Sequence, residues 1–359
     1  MNDIKSAELI QSFGFNRQDY LPDENYAAWQ EAVKLLFDID ANGRKDLPEF
    51  YADLASYSMG SVLLGYARAA TQRFSRSVDT IARGGIDHFI AQLYIEGGYH
   101  GVAGGKPIEV QAGDICVLDC AGTLETLATD FENLTLVVPR AMLESKLTRP
   151  EALHGLVLRG GSAMTQVLSR HLLALFELAP RMTLHECDSM TRGTIALIVA
   201  CLQGELERRE DQTAAGKSIT VLRIRRYIDD RLSSPDVNAE TIAAQFALSR
   251  ASLYRLFEPF GGVADYIRNK RLRRAFFELR SPEFRGHRVG EIARRWGFSN
   301  EGTFARAFKA AYGVSPNAVR DTSQLDMPST DPDSADDRPI ITRWMHEISG
   351  DGHPTGGAG

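Results

Sequence analysis

Four cysteines in 359 residues are too few to staple a fold, so the chain reads as a protein of a reducing compartment and not as a disulfide scaffold. Long apolar runs are missing as well. The longest, residues 195–202, falls far short of the ~18–20 residues that a membrane-spanning helix needs. The opening residues Met1-Asn2-Asp3-Ile4-Lys5 lack a charged stretch followed by an apolar core, so no export signal is expected and a cytoplasmic location is. A Gly-x-Ser-x-Gly elbow, a Gly-Lys-Ser/Thr phosphate loop and a dinucleotide fingerprint are all absent, which removes three common enzyme signatures. Hydrophobic residues at 43% and charged residues at 25% describe an ordinary globular chain. Its length suits two or three domains of roughly 100–200 residues each.

What the chain does have is charge in separate blocks. Residues 217–320 carry 20 Lys and Arg against 10 Asp and Glu, a local balance of +10 inside a protein of net charge −6. Residues 1–216 balance at −10 and residues 321–359 at −6. A basic block within an acidic chain predicts a polyanion-binding module joined to a part with another task.

Composition marks the boundaries. Residues 60–140 are rich in glycine and hold short runs of strand character at 62–66, 88–95, 108–110, 115–118 and 134–138, separated by turn signals such as Gly97-Gly98 and Gly113-Asp114. Residues 20–40 and 141–210 show helical periodicity. The expected organisation is a first domain over 1–210, with a β-barrel at about 55–140 and helices at about 141–210. A linker at 211–217 leads to an all-helical domain over 218–320. Residues 321–359, rich in Ser, Asp and Pro, read as a largely disordered acidic tail, interrupted by a patch at 340–345 that can dock as a strand or turn.

The helical domain contains an internal repeat. Ile242, Ala243, Phe246 and Leu248 recur fifty residues later as Ile292, Ala293, Trp296 and Phe298. After the turn the offset is fifty-one, with Leu253, Arg255 and Phe257 matched by Phe304, Arg306 and Phe308. Each copy is a short helix, a tight turn and a second helix, the pattern of a helix-turn-helix whose second helix enters the DNA major groove. Gly297 suits a left-handed turn position that Ala247 occupies in copy one, where strain or a different shape is expected. Ser249 and Asn300 are placed to cap the second helices.

With Leu253 and Phe257 inward, the outward face of copy one presents Arg250, Ala251, Tyr254 and Arg255. Copy two presents Glu301, Gly302, Thr303, Arg306 and Lys309. Arginine can pair bidentately with guanine, and glutamate can accept from the cytosine amino group. The segment 264–280 reads as one long helix that would hold the readers rigidly, about 34 Å apart in successive major grooves. Arg268 and Arg271 on that helix are candidates for phosphate contact.

The motifs Gly297-Phe298-Ser299, Phe304, Arg306, Phe308-Lys309 and Gly313-Val314-Ser315-Pro316 with Arg320 resemble the AraC/XylS family of bacterial transcription regulators. One departure is Val319, where the family usually has an aromatic residue. Asp87-His88-Phe89, Gly113-Asp114, Leu118-Asp119 and Val138-Pro139-Arg140 resemble, more loosely, the cupin-like ligand-binding half found in a branch of that family. The resemblance implies an α+β multidomain chain: an N-terminal cupin-like β-barrel with flanking helices, then an all-α domain with two helix-turn-helix motifs. It further implies double-stranded promoter DNA and RNA polymerase as partners, a small-molecule effector, and a homodimer whose contact lies within 160–205.

Candidate effector-binding residues are Arg68, His88, Phe89 and Tyr94, with Arg73 and Arg76 as further partners for a carboxylate. No metal, cofactor or catalytic residue is expected. His88 and His100 lack a closely spaced His-x-His with a nearby Glu, Cys116 and Cys120 read as packing, and His185-Glu186-Cys187 has no second cluster. The function expected is a sequence-specific DNA-binding regulator, an activator responding to an effector. Its rivals are a constitutive DNA-binding dimer without effector and a cupin-like metalloenzyme fused to a DNA-binding domain.

Overall fold

Strands that bury both faces need two partners, and the alternation of side chains in the first half of this chain supplies them. The computed structural model of the protein describes residues 9–41, 50–147, 149–210, 218–280, 284, 286–325 and 340–350. They fall into two compact units, one holding the residues up to 209 together with 340–350, the other holding those from 210 to 325.

In the first unit, β1 (Ser12–Phe15), α1 (Pro22–Val33) and β2 (Asp38–Asp40) precede β3 (Ala52–Ser58), β4 (Leu63–Ala69) and β5 (Gln72–Arg76). After α2 (Val78–Gly84) come β6 (Phe89–Glu96), β7 (Gly98–Ala103), β8 (Lys106–Gln111), β9 (Ile115–Asp119), β10 (Leu124–Ala128) and β11 (Phe131–Val138). Then follow α3 (Arg140–Glu144), β12 (Leu156–Leu158), α4 (Ala163–Leu178) and the 27-residue α5 (Leu184–Glu210). The expected barrel is built as two antiparallel sheets, ordered β1-β3-β4-β11-β6-β9-β12 and β2-β5-β10-β7-β8. All five runs of strand character expected from sequence fall on strands, namely β4, β6, β8, β9 and β11.

The seven-stranded sheet divides its side chains by parity. Ile90 and Tyr94 of β6, Cys116 and Leu118 of β9, and Val137 of β11 join Phe74, Tyr99 and Leu124 of the other sheet in one core. Phe89, Ala91 and Leu93, Ile115 and Val117, and Leu134 and Leu136 face the opposite way and pack with Leu168, Leu172, Ile195 and Leu202 of α4 and α5. The sheet is thus covered on both faces, and its strands read as apolar runs because each face meets a core. All four cysteines are free and buried. Burial pushes the Cys116 and Cys120 thiols up to about 12, which keeps them protonated and unreactive.

Three of the motifs that resembled a ligand-binding half meet at one end of these strands, Gly113-Asp114 lies at the other, and all four are structural. Arg140, buried at the start of α3, pairs with both Asp119 and Asp87 and lies over the Phe89 ring at 4.2 Å. Asp114 accepts from Arg159 at 2.7 Å and from the Gly160 backbone at 2.8 Å. A buried carboxylate is tolerated where such donors replace water.

The second unit is helical: α6 (Ser218–Asp230), α7 (Ala239–Gln245), α8 (Arg250–Phe257), α9 (Val263–Arg280), α10 (Val289–Arg295), α11 (Glu301–Tyr312) and α12 (Pro316–Leu325). A last helix, α13 (Ile340–Gly350), belongs to the first unit. The patch expected to dock as a strand or turn docks as a helix. Ile341, Trp344, Met345 and Ile348 recur at helical spacing and enter the core between the sheets. The linker at 211–217 and most of the acidic stretch before residue 340 lie outside the described residues.

Candidate nucleic-acid interface and ligand cavity

The two repeats fold onto one backbone plan. In copy one, α7 ends with Ala247 N donating to Ala244 O at 3.2 Å and Leu248 N to Ala243 O at 2.9 Å. In copy two, α10 ends with Gly297 N to Arg294 O at 2.9 Å and Phe298 N to Ala293 O at 3.0 Å. Both turn residues are left-handed, with φ of 52° at Ala247 and 73° at Gly297. The shape expected to differ between copies is therefore the same, and Ala247 is the one non-glycine with positive φ among the described residues. A residue with a Cβ in that region costs about 1–2 kcal/mol, so copy one carries the strain that copy two avoids.

Capping follows the sequence. Ser249 Oγ accepts from Ser252 N at 3.0 Å, and Asn300 Oδ1 accepts from Thr303 N at 2.8 Å. Each satisfies one of the orphan amides that open a helix. Leu253 and Phe257 of α8, and Phe304 and Phe308 of α11, are fully buried, which turns the opposite faces outward.

Those outward faces hold the candidate readers. Arg250, Ala251, Tyr254 and Arg255 are exposed on α8, and Glu301, Gly302, Thr303, Arg306 and Lys309 are exposed on α11. Arg250 pairs with Glu240 at 3.4 Å. Arg255, Arg306 and Lys309 form no ion pair among the described residues, so their charges are open to a polyanion. On α9, Arg268 is exposed and pairs with Asp265 at 3.0 Å. Arg271 is half-buried, and its guanidinium donates to the carbonyls of Leu232, Ser234 and Val237 at 3.0, 2.7 and 3.3 Å. It clamps the segment leading into α7, so its donors are already committed inside the protein.

α9 joins the copies through packing. Val263, Tyr266 and Ile267 in its first half lie in the copy-one core with Ile242, Leu253 and Phe257. In its second half Phe276 stacks on Phe308, with centroids 5.9 Å apart, and meets Tyr312 at 4.8 Å. Trp296 of copy two also packs against the copy-one core. One rigid element thus carries both second helices. Val319, the departure from the family pattern, is buried.

A cavity of about 90 Å³ opens between the two sheets of the first unit. Tyr94, Tyr99, Trp29, Gln92 and Asn133 line it, and so do Ile341, Trp344 and Met345 of α13. Of the candidate effector residues, Tyr94 lines this cavity. Phe89 lies five positions away on the same strand and so faces α4 and α5 on the other side of the sheet. Arg68 and Arg73 are exposed, and Arg76 is buried with its donors on the carbonyls of Cys120, Leu35 and Leu36. His88 is buried beside the cavity's α13 wall, where Nε2–H donates to Met345 O at 2.8 Å. Burial holds its imidazole below the ordinary histidine range, against the opposing charge of Asp87. Among the described residues, no group of three His, Cys, Asp or Glu side chains is placed to hold a metal, and no helix is long and apolar enough to cross a membrane.

Sequence reasoning missed Gln92, Tyr99, Asn133 and the whole α13 contribution. The periodicity of Ile341, Trp344, Met345 and Ile348 was the available signal.

The chain matches the AraC-binding-like domain over residues 30–203 and a helix-turn-helix domain over residues 242–322. It belongs to the AraC/XylS family of transcription regulators. Over 310 residues it is 22% identical to the transcriptional activator NphR of Rhodococcus sp, covering 83% of this chain and 89% of that protein. Over 97 residues it is 32% identical to the XylDLEGF operon transcriptional activator of Pseudomonas putida, covering 26% of this chain and 30% of that one. The fold is that of the AraC-like transcriptional activator CuxR, with a TM-score of 0.51 and 24% identity over 74% of this chain and 95% of that structure. This AraC-type regulator therefore pairs a DNA-binding helical unit with a sheet-rich unit of the family's ligand-binding kind.

Proposed function

We propose that this AraC-type regulator is a cytoplasmic, dimeric activator that binds promoter DNA through both helix-turn-helix units and acts with RNA polymerase when a small effector occupies its sheet-rich unit. The single observation that carries the reading is the repeat itself: two second helices on one backbone plan, held by α9, with Arg255, Arg306 and Lys309 exposed and without an ion pair among the described residues. In this reading Arg306 and Arg255 read base edges, Glu301 accepts from cytosine, and Arg268 and Lys309 hold phosphates. Arg271 acts at one remove, by fixing the approach to α7.

The names of the relatives support activation over repression. The outward faces of α4, with Met164, Val167 and Leu178 exposed, and of α5, with Leu184 and Met190 exposed, supply an apolar surface for the dimer. The cavity between the sheets supplies the effector site. Occupancy would shift the population of dimers able to place their readers on both half-sites. No chemical step is assigned to the chain.

Selection of duplexes from a random pool, followed by footprinting, tests this directly. Within each half-site of the dimer, two protected stretches one helical turn apart are expected, with affinity falling as salt rises. A single protected stretch, or retention without sequence preference, contradicts the reading. A constitutive dimer is the second reading, favoured if no metabolite alters affinity or transcription.

A further inference from the structure

We propose that α13, which follows the DNA-binding unit in sequence, is a wall of the effector site, and that this site takes a small uncharged, largely apolar ligand whose binding holds the helix in place. The inference rests on reading the cavity as the effector site and adds the ligand class and the moving part.

Four side chains seat the helix. Ile341, Trp344, Met345 and Ile348, exposed by only 6, 1, 4 and 2%, complete one apolar stripe within the core of the first unit. Two polar anchors fix its register: Trp344 Nε1–H donates to Gln11 Oε1 at 3.0 Å, and His88 Nε2–H donates to Met345 O at 2.8 Å. Three of the stripe residues also line the cavity, so a molecule inside it touches the helix directly.

The lining selects the ligand. None of the described lining residues is Lys, Arg, His, Asp or Glu, so a carboxylate or ammonium group would be buried without a counter-charge. Aromatic rings of Trp29, Tyr94, Phe131 and Trp344 favour a flat apolar body. A polar handle has places to go. Tyr99 is 5% exposed and its hydroxyl, beside the Cys116 thiol, has no nitrogen or oxygen partner among the described residues, while Gln92 and Asn133 add amides from the facing sheet. A buried hydroxyl with only a thiol beside it gains a stronger partner when a ligand brings an oxygen or nitrogen.

The position of α13 in sequence gives the coupling. The helical unit follows residue 209, its last described helix is α12, and after fourteen intervening residues the chain re-enters the first unit as α13. While α13 is seated, the DNA-binding unit is tethered at both ends; once α13 leaves, at one end. A ligand that contacts only the seated helix must favour the doubly tethered state.

Hydrogen exchange of residues 340–350 in the full chain tests this, with indole as the uncharged probe and indole-3-carboxylate as its charged counterpart. Indole is expected to slow exchange there about tenfold and indole-3-carboxylate to leave it unchanged. Trp344→Ala is expected to weaken indole binding about tenfold, and Trp344→Phe to recover most of it. Indole binding with unchanged or faster exchange at 340–350 overturns the wall and leaves the effector site standing. Preferential binding of the carboxylate overturns the ligand class. Silence from a panel of uncharged aromatics and carboxylates alike overturns the effector site, and this proposal with it.

Discussion

The two helix-turn-helix copies share a turn geometry but not the residue that makes it easy. Copy two has glycine at the left-handed position, and copy one has Ala247 at φ 52° with the same pair of closing hydrogen bonds. The difference teaches that packing dictates the turn. Ile242 and Leu253 in one copy, and Ile292 and Phe304 in the other, must meet across it, and the backbone adopts whatever that contact requires. The glycine of copy two also has a second duty. A Cβ on Gly297 would lie 2.9 Å from Cζ of Arg271, whose guanidinium is held by three carbonyls.

The comparison can be broken at its core. Phe304 sits among Phe298 and Phe308, with centroids at 5.0 and 5.3 Å, where copy one has Leu253. Phe304→Ala is expected to cost about 3–5 kcal/mol in denaturant unfolding, and Leu253→Ala about 3 kcal/mol. Equal and small losses would show that the two cores are loosely packed. Next in size is Gly297→Ala, expected to cost ~2 kcal/mol or more because left-handed strain and the Arg271 contact combine.

Binding separates the copies in another way. Arg306→Ala and Arg255→Ala are each expected to lose ~1–3 kcal/mol at the selected site and to relax base choice in different major grooves of a half-site. Uniform weakening on all sequences would make them phosphate contacts. The smallest effect is the most specific to copy one. Ala247→Gly should raise stability by about 0.5–1 kcal/mol, the relief of left-handed strain (about 1–2 kcal/mol) exceeding the added freedom of the unfolded chain (about 0.4–1 kcal/mol). A loss of stability on that substitution would show that Ala247 is not strained.

Much of this was legible in residue order because short-range rules govern it. The repeat, the caps at Ser249 and Asn300 and the outward faces of α8 and α11 follow from helical spacing. The five apolar strands were visible for the same reason. β2 and β10 were not, since Asp38-Ile39-Asp40 at a sheet edge has a single apolar residue and the apolar positions of Leu124–Ala128 break the period-two alternation. The cavity was harder still. Tyr94 was found from its aromatic ring, but Tyr99, Gln92 and Asn133 reach the same space only through pairings between distant strands. Arginines such as Arg76 suggested anion binding, yet a buried guanidinium closing carbonyls at 2.6–2.8 Å looks identical in sequence. α13 was hidden by its surroundings, an acidic Ser- and Pro-rich stretch that drew attention from four well-spaced apolar residues.

The central claim is that α9 holds two readers at one fixed spacing. Affinity for the selected duplex, compared with the same duplex carrying about 5 extra base pairs between the two protected stretches of each half-site, tests it most directly, since half a helical turn moves the second stretch to the far side of the DNA. The insertion is expected to abolish the contribution of one copy, so that Arg306→Ala or Arg255→Ala, but not both, becomes silent. Undiminished affinity on the lengthened duplex would contradict it.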